Sequence, residues 1–105
     1  ETSTHSPVLF NKLAATYLQT QKYNEAENLL QESLEFFPNF HTSLVNMGEV
    51  YFSNQEYETA QVYFEKAARI NPFNPFVHMR LILVYDKLGL IEKKELQVRQ
   101  FSYID

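Results

Sequence analysis

The sequence has no cysteine, no tryptophan, only two glycines and four prolines in 105 residues, and no long apolar run. Without cysteine there is no disulfide and no thiolate metal site. That leaves reducing and oxidising compartments, cytoplasm or periplasm, equally compatible. Two glycines cannot serve the tight turns of a many-stranded fold, so the balance tips toward helices. The richest apolar segment, FVHMRLILVY, carries His78 and Arg80 and falls short of the roughly 20 residues that span a bilayer, so no membrane insertion is expected. An excess of positive charge is missing too. Nine Lys and Arg against thirteen Asp and Glu give −4 and a pI near 5.3, which speaks against a nucleic-acid partner.

What is present is ordinary for a soluble globular chain, 45% hydrophobic and 21% charged, and enough for one domain. The chain opens on Glu1 rather than methionine, as expected of a piece of a longer protein.

Its organisation appears on shifting the sequence by 34 residues. Leu13, Met47 and Leu81 then share a column, as do Tyr17, Tyr51 and Tyr85. Tyr23, Tyr57 and Ile91 align, with Leu30, Phe64 and Val98, Ala26 and Ala60, Ser33 and Ala67, and Pro38 and Pro72. Three units follow, 7–40, 41–74 and 75–105, behind a polar tail at 1–6.

Each unit reads as two helices. Phe10, Leu13, Ala14, Tyr17 and Leu18 fall at helical spacing, and Ser6–Pro7 supplies a hydroxyl cap followed by a proline where no donor is needed. After the polar TQKYN, the residues Ala26, Leu29, Leu30, Ser33, Leu34 and Phe36–Phe37 trace a second helix that Pro38 stops. The later units predict helices near 41–54, 58–70, 75–88 and 92–104. Small residues at paired places, Ala14 and Gly48 on first helices with Ala26 and Ala60 on second ones, imply close helix approach. The stretch EFFPNFH acts as punctuation: Phe36 is expected in the core, Phe37 exposed and Phe40 packed at the unit junction.

This pattern resembles the tetratricopeptide repeat: an early large residue, leucine–small, tyrosine, alanine, aromatic or leucine, small, then a closing proline at a 34-residue period. HTSLVNMGEVYFSNQEYETAQVYFEKAARINPFN fits almost throughout, with leucine in place of the family's early tryptophan. The resemblance covers about 7–105. It implies an all-α right-handed superhelix (solenoid) of three helix–turn–helix repeats, six helices, whose first helices line a concave groove. Unit three departs from the pattern, with Ile82 and Lys94 in the small positions and Phe101 in the column of Ser33 and Ala67. Its helix pair is expected to be splayed or shifted, and the unit to be terminal. Units one and two carry −2 each; 75–105 has five basic and four acidic residues.

The resemblance further implies that such grooves bind a peptide or helix of another protein. On those columns stand Val8, Asn11, Lys12, Val45, Asn46, Glu49, Phe52, Phe76, Met79, Arg80 and Leu83. Val45, Phe52, Phe76, Met79 and Leu83 would form an apolar strip. Arg80 would grip a carboxylate and Asn46 a peptide backbone. Some members of the family clamp heat-shock chaperone C-terminal tails with two lysines, two asparagines and an arginine. Here those columns hold Asn11, Ala15, Asn46, Phe76 and Arg80, so only two agree, and no such tail is expected as a partner.

Nothing predicts catalysis or a cofactor. His5, His41 and His78 lack the i, i+4 spacing of a metal pair, and His78, in the column of Phe10 and Leu44, is expected to be packed. Glu25, Glu27, Glu32, Glu35, Glu56, Glu58 and Glu65 read as solvated outer faces, and IEKKELQVRQ, with acids among its bases, as a solvent face. The segment is therefore expected to be no enzyme, with no metal. The leading reading is a scaffold that docks a peptide or helix of a partner protein. The alternative is a structural or regulatory segment of a larger enzyme or of a secretion or assembly component, with self-association as a homodimer or intramolecular packing in the groove.

Overall fold

The computed structural model describes residues 6–102. Six helices follow one another: α1 (Pro7–Gln19), α2 (Tyr23–Phe36), α3 (His41–Ser53), α4 (Tyr57–Ile70), α5 (Pro75–Leu88) and α6 (Ile91–Phe101). There is no strand among the described residues. Consecutive helices pack on one another, and α1 also touches α3. The stack is about twice as long as it is wide, 46 × 24 × 20 Å, the shape of an all-α solenoid. The end of the expected 92–104 helix, with Ile104, lies outside the described residues.

One turn is used three times. Just past the first helix of each pair stands a residue in the left-handed region, Gln21 (φ 63°), Gln55 (φ 64°) and Gly89 (φ 73°). The amide of the next residue, Lys22, Glu56 or Leu90, donates to the carbonyl of the recurring tyrosine, Tyr17, Tyr51 or Tyr85, at 2.8, 2.8 and 2.9 Å. The left-handed residue's own amide donates three residues back, to Leu18, Phe52 or Asp86. This double bond pattern satisfies the orphan carbonyls at a helix end and reverses the chain.

Between pairs the chain relies on proline and asparagine. The α4–α5 link holds Pro72; Asn71 Oδ1 accepts from the amide of Phe73 at 3.1 Å, and Asn74 caps α5 by accepting from the amide of Phe76 at 3.0 Å. Pro7 and Pro75 stand in the first turns of their helices, but Ser6 makes no side-chain cap, contrary to the expected hydroxyl bond.

The small residues act as the sequence implies. Ala14, Ala26 and Ala60 are fully buried. Gly48 lies against the ring of Phe64, where an added Cβ would sit 2.6 Å from Cε1. The same columns hold Ala14 with Leu30 and Ile82 with Val98, so side-chain size is traded across the pair. Two cores result. One joins Ala14, Ala26 and Leu30 to Met47 and Val50. The other joins Leu44, Val45, Ala60, Phe64 and Ala67 to Val77, Leu81, Val84 and Tyr85.

Unit three closes by polar contact. His78 is buried, as expected, with Nε2 2.5 Å from the carbonyl of Pro72 and Nδ1 facing the side-chain amide of the buried Gln97. A carbonyl only accepts, so the imidazole donates from Nε2 and receives the Gln97 amide at Nδ1. Lys94, bulky in a small position, sends its ammonium out to Asp86, 2.8 Å away.

Two expectations are corrected. Phe36 is exposed rather than core. At 100° per residue it lies about 80° off the buried line of Ala26, Leu30 and Ser33. Phe37 is exposed, but Phe73, beside Pro72, is exposed much further. Glu27 and Glu65, expected on solvated faces, accept the tyrosine hydroxyls of Tyr51 and Tyr85 at 2.5 and 2.6 Å.

Candidate interaction groove

The groove columns of α1, α3 and α5 carry every side chain the sequence nominates, but with unequal roles. Asn11 and Val45 are largely buried, 6% and 8% exposed. Val45 belongs to the second core. Asn11 is a strut between α1 and α3. Its amide donates to Ser43 Oγ at 2.8 Å and to the carbonyl of Pro7 at 2.7 Å, and its Oδ1 accepts from Asn46 at 2.8 Å. Asn46 therefore spends one amide hydrogen on this strut and keeps its other polar capacity.

Arg80 is also engaged within the fold. Its Nε and Nη2 donate to Glu49 Oε1 and Oε2 at 2.6 and 3.1 Å, a two-point bridge between α5 and α3. Its guanidinium carbon lies 4.7 Å from the Phe52 ring centre and 4.6 Å from that of Phe76. The sequence assigns this guanidinium to a ligand's carboxylate; the fold gives it to Glu49. Planarity allows both at once, since the fork pairs edge-on while the faces stack. Phe52 and Phe76 are thereby half-buried, and Met79 and Leu83 stay exposed beside them on α5.

Toward the other end lies an open hollow of about 360 Å³ lined by Val8, Asn11, Lys12, Ala15, Phe40, Thr42 and Asn46. Phe40 was read only as a junction residue; its place in this wall depends on how the 37–41 link bends, which no periodicity encodes. Lys12 is exposed and, among the described ion pairs, has no partner. Along the candidate columns, the residues thus pass from a hollow with a free ammonium to a neutralised, aromatic-stacked centre and an apolar far end.

Behind the groove, tyrosine–glutamate bonds tie the pairs together. Burial and the hydrogen bond to Glu27 raise the Tyr51 phenol above its ordinary value, and burial with Glu65 does the same for Tyr85. Burial alone would raise Glu65, but hydrogen bonds from Tyr85 and Gln61 and the charge of Lys93 outweigh it and leave the carboxyl lowered. Tyr63 stacks on Tyr51, centroids 5.6 Å apart. Among the described residues, no group of three or more His, Asp or Glu could hold a metal, and no helix is long and apolar enough to cross a membrane.

This architecture has known counterparts. Family models of the tetratricopeptide repeat match residues 41–74 and 9–36, together more than half of the chain. The chain belongs to the tetratricopeptide-repeat family. It is 24% identical, over all 105 residues, to Anaphase-promoting complex subunit 3 of Schizosaccharomyces pombe, of which it spans 16%. Among solved structures, the first TPR of Spaghetti (RPAP3) bound to the HSP90 peptide SRMEEVD superposes with a TM-score of 0.88 at 15% identity, covering 94% of this chain and 79% of that one. PilF of Pseudomonas aeruginosa superposes at 0.87 and 20% identity, covering 97% and 47%. A MamA D159K mutant gives 0.83 at 22% identity, covering 97% and 59%. At these identities the likeness is one of fold.

Proposed function

We propose that this chain is a protein-interaction module that takes a peptide or helix of a partner protein into its concave groove and so assembles a larger complex. The observation that carries the reading is the hollow lined by Val8, Lys12, Ala15, Phe40 and Asn46. It offers apolar wall, a spare amide and an unpaired ammonium in one concave place, which is the mixture that anchors and orients a peptide. The likeness to a peptide-bound structure supports the same reading. The partner is proposed not to be a chaperone tail: Phe76 stands where a clamp lysine would, and Arg80 is already held by Glu49.

The test is a displayed peptide library panned on the immobilised chain, followed by NMR shift mapping of a selected peptide. Shifts centred on Ala15, Phe40 and Asn46 are expected. Shifts confined to the outer faces of α2 and α4 would place binding elsewhere and overturn the reading.

A second reading is the structural segment of a larger assembly. The curated relative, of which the chain spans 16%, is by name a subunit of a complex. Apolar residues exposed at both ends of the stack, on α1 and α6, favour it as well.

A further inference from the structure

The two internal junctions share one register. Ser43, Met47 and Val50 of α3 are buried against α2, and Val77, Leu81 and Val84 of α5, each 34 residues on, are buried against α4. On α1 the same positions are Leu9, Leu13 and Thr16. They are exposed, Leu9 at 52% and Leu13 at 46%. The covering positions are Leu30 and Ser33 on α2 and Phe64 and Ala67 on α4, all fully buried. On α6 they are Val98 and Phe101, and Val98 is 45% exposed. The described ends of the stack are therefore the two halves of an interface that the molecule already makes twice.

We infer that a second copy of this chain docks head to tail, α6 of one copy covering α1 of the next. Val98 and Phe101 then meet Leu13 and Leu9, as Leu30 and Ser33 meet Met47 and Ser43. The polar lock of the first junction has both its halves at the free ends. Tyr17 stands in the column of Tyr51, and Glu95 in the column of Glu27, whose carboxylate accepts the Tyr51 hydroxyl. Charge agrees: 7–40 carries two lysines against four glutamates, and 75–105 five bases against four acids, so unlike ends face each other. A solvent-facing terminal helix carries polar residues at such positions; α1 carries leucines at 9 and 13. The contact is heterologous and leaves a free end after each addition.

Sedimentation velocity across a wide range of concentration tests this. The average mass of the wild-type chain is expected to rise past that of two copies. Leu13→Glu and Val98→Glu change exposed side chains, and each is expected to raise the concentration needed for association at least tenfold with an unchanged helical circular-dichroism spectrum. Mixed in equal amounts they restore a species of two copies and nothing larger, because one keeps a good tail and the other a good head. Phe76→Ala, in the groove, is expected to leave association unchanged. A wild-type chain that stays monomeric throughout would overturn the inference. So would loss of association in Leu13→Glu alone, which marks a symmetric α1 contact, loss in Phe76→Ala, which marks the groove, or a mixture that does not recover. None of these results bears on peptide capture by Val8 and Lys12.

Discussion

Gly48 and Phe64 meet face on: the glycine's missing Cβ is the space that the aromatic ring fills, with three ring carbons within 2.8 Å of where that atom would be. Alanine gains about 1 kcal/mol in helix propensity over glycine, yet overpacking here costs more. Gly48→Ala is expected to destabilise the chain by about 1–2 kcal/mol net. Adding Phe64→Leu recreates the Ala14–Leu30 pairing of unit one and should recover much of the loss. A denaturation double-mutant cycle measures this coupling; additive effects would mean that the ring is not the obstacle.

The three turns make a paired prediction. Gln55 pays for its left-handed backbone with steric strain that Gly89 avoids. Gln55→Gly is expected to stabilise by about 0.5–1 kcal/mol and Gly89→Ala to destabilise by about the same. Thermal melts of both variants decide it, and equal signs would refute it.

Stability should fall toward both acid and alkaline pH. The Glu65 carboxyl is lowered on folding, so its contribution is present above the ordinary 4.5 and disappears as pH drops through and below it. Tyr51 and Tyr85 are raised, so their contribution is present below the ordinary 10.0 and declines as pH climbs beyond it. Urea midpoints against pH should show both limbs. Glu65→Gln should flatten the acid limb, and Tyr51→Phe with Tyr85→Phe the alkaline one.

Arg80 is available to an acidic ligand only once Glu49 releases it. Glu49→Ala is expected to cost about 1 kcal/mol or less in stability, since the pair is partly solvated, and to strengthen binding of acidic peptides. Fluorescence anisotropy with the labelled peptide SRMEEVD should show no saturable binding to the wild-type chain and measurable binding to Glu49→Ala. Tight binding by the wild type would sink the proposal that chaperone tails are not its partners.

The fold was legible because its cause is periodic. A 34-residue shift superposes Tyr17, Tyr51 and Tyr85, and pairs small residues at Ala14 and Ala26, and at Gly48 and Ala60. The site was less so, because its decisive contacts join residues on different helices. Glu49 reaches Arg80 across 31 positions, and Asn11 turns inward only because Ser43 and Asn46 meet it. Column membership shows which side of a helix a residue is on, but not whether a neighbour's charge has already occupied it. Phe36 illustrates the opposite error: apolar identity suggested core, whereas its angle around α2 sends it outward.

The tyrosine locks have one more consequence. Glu27 is paired with Gln31, and Gln61 with Glu65, the same two columns with acid and amide exchanged. Tyr51 finds its acceptor on one column and Tyr85 on the other, about one helical turn along. A misassembled chain in which α5 lies down on α2 would present its phenol to the Gln31 column instead of a carboxylate. Repeated units invite such shuffling, and the exchange distinguishes the Tyr51 junction from the Tyr85 junction by the column on which the carboxylate stands.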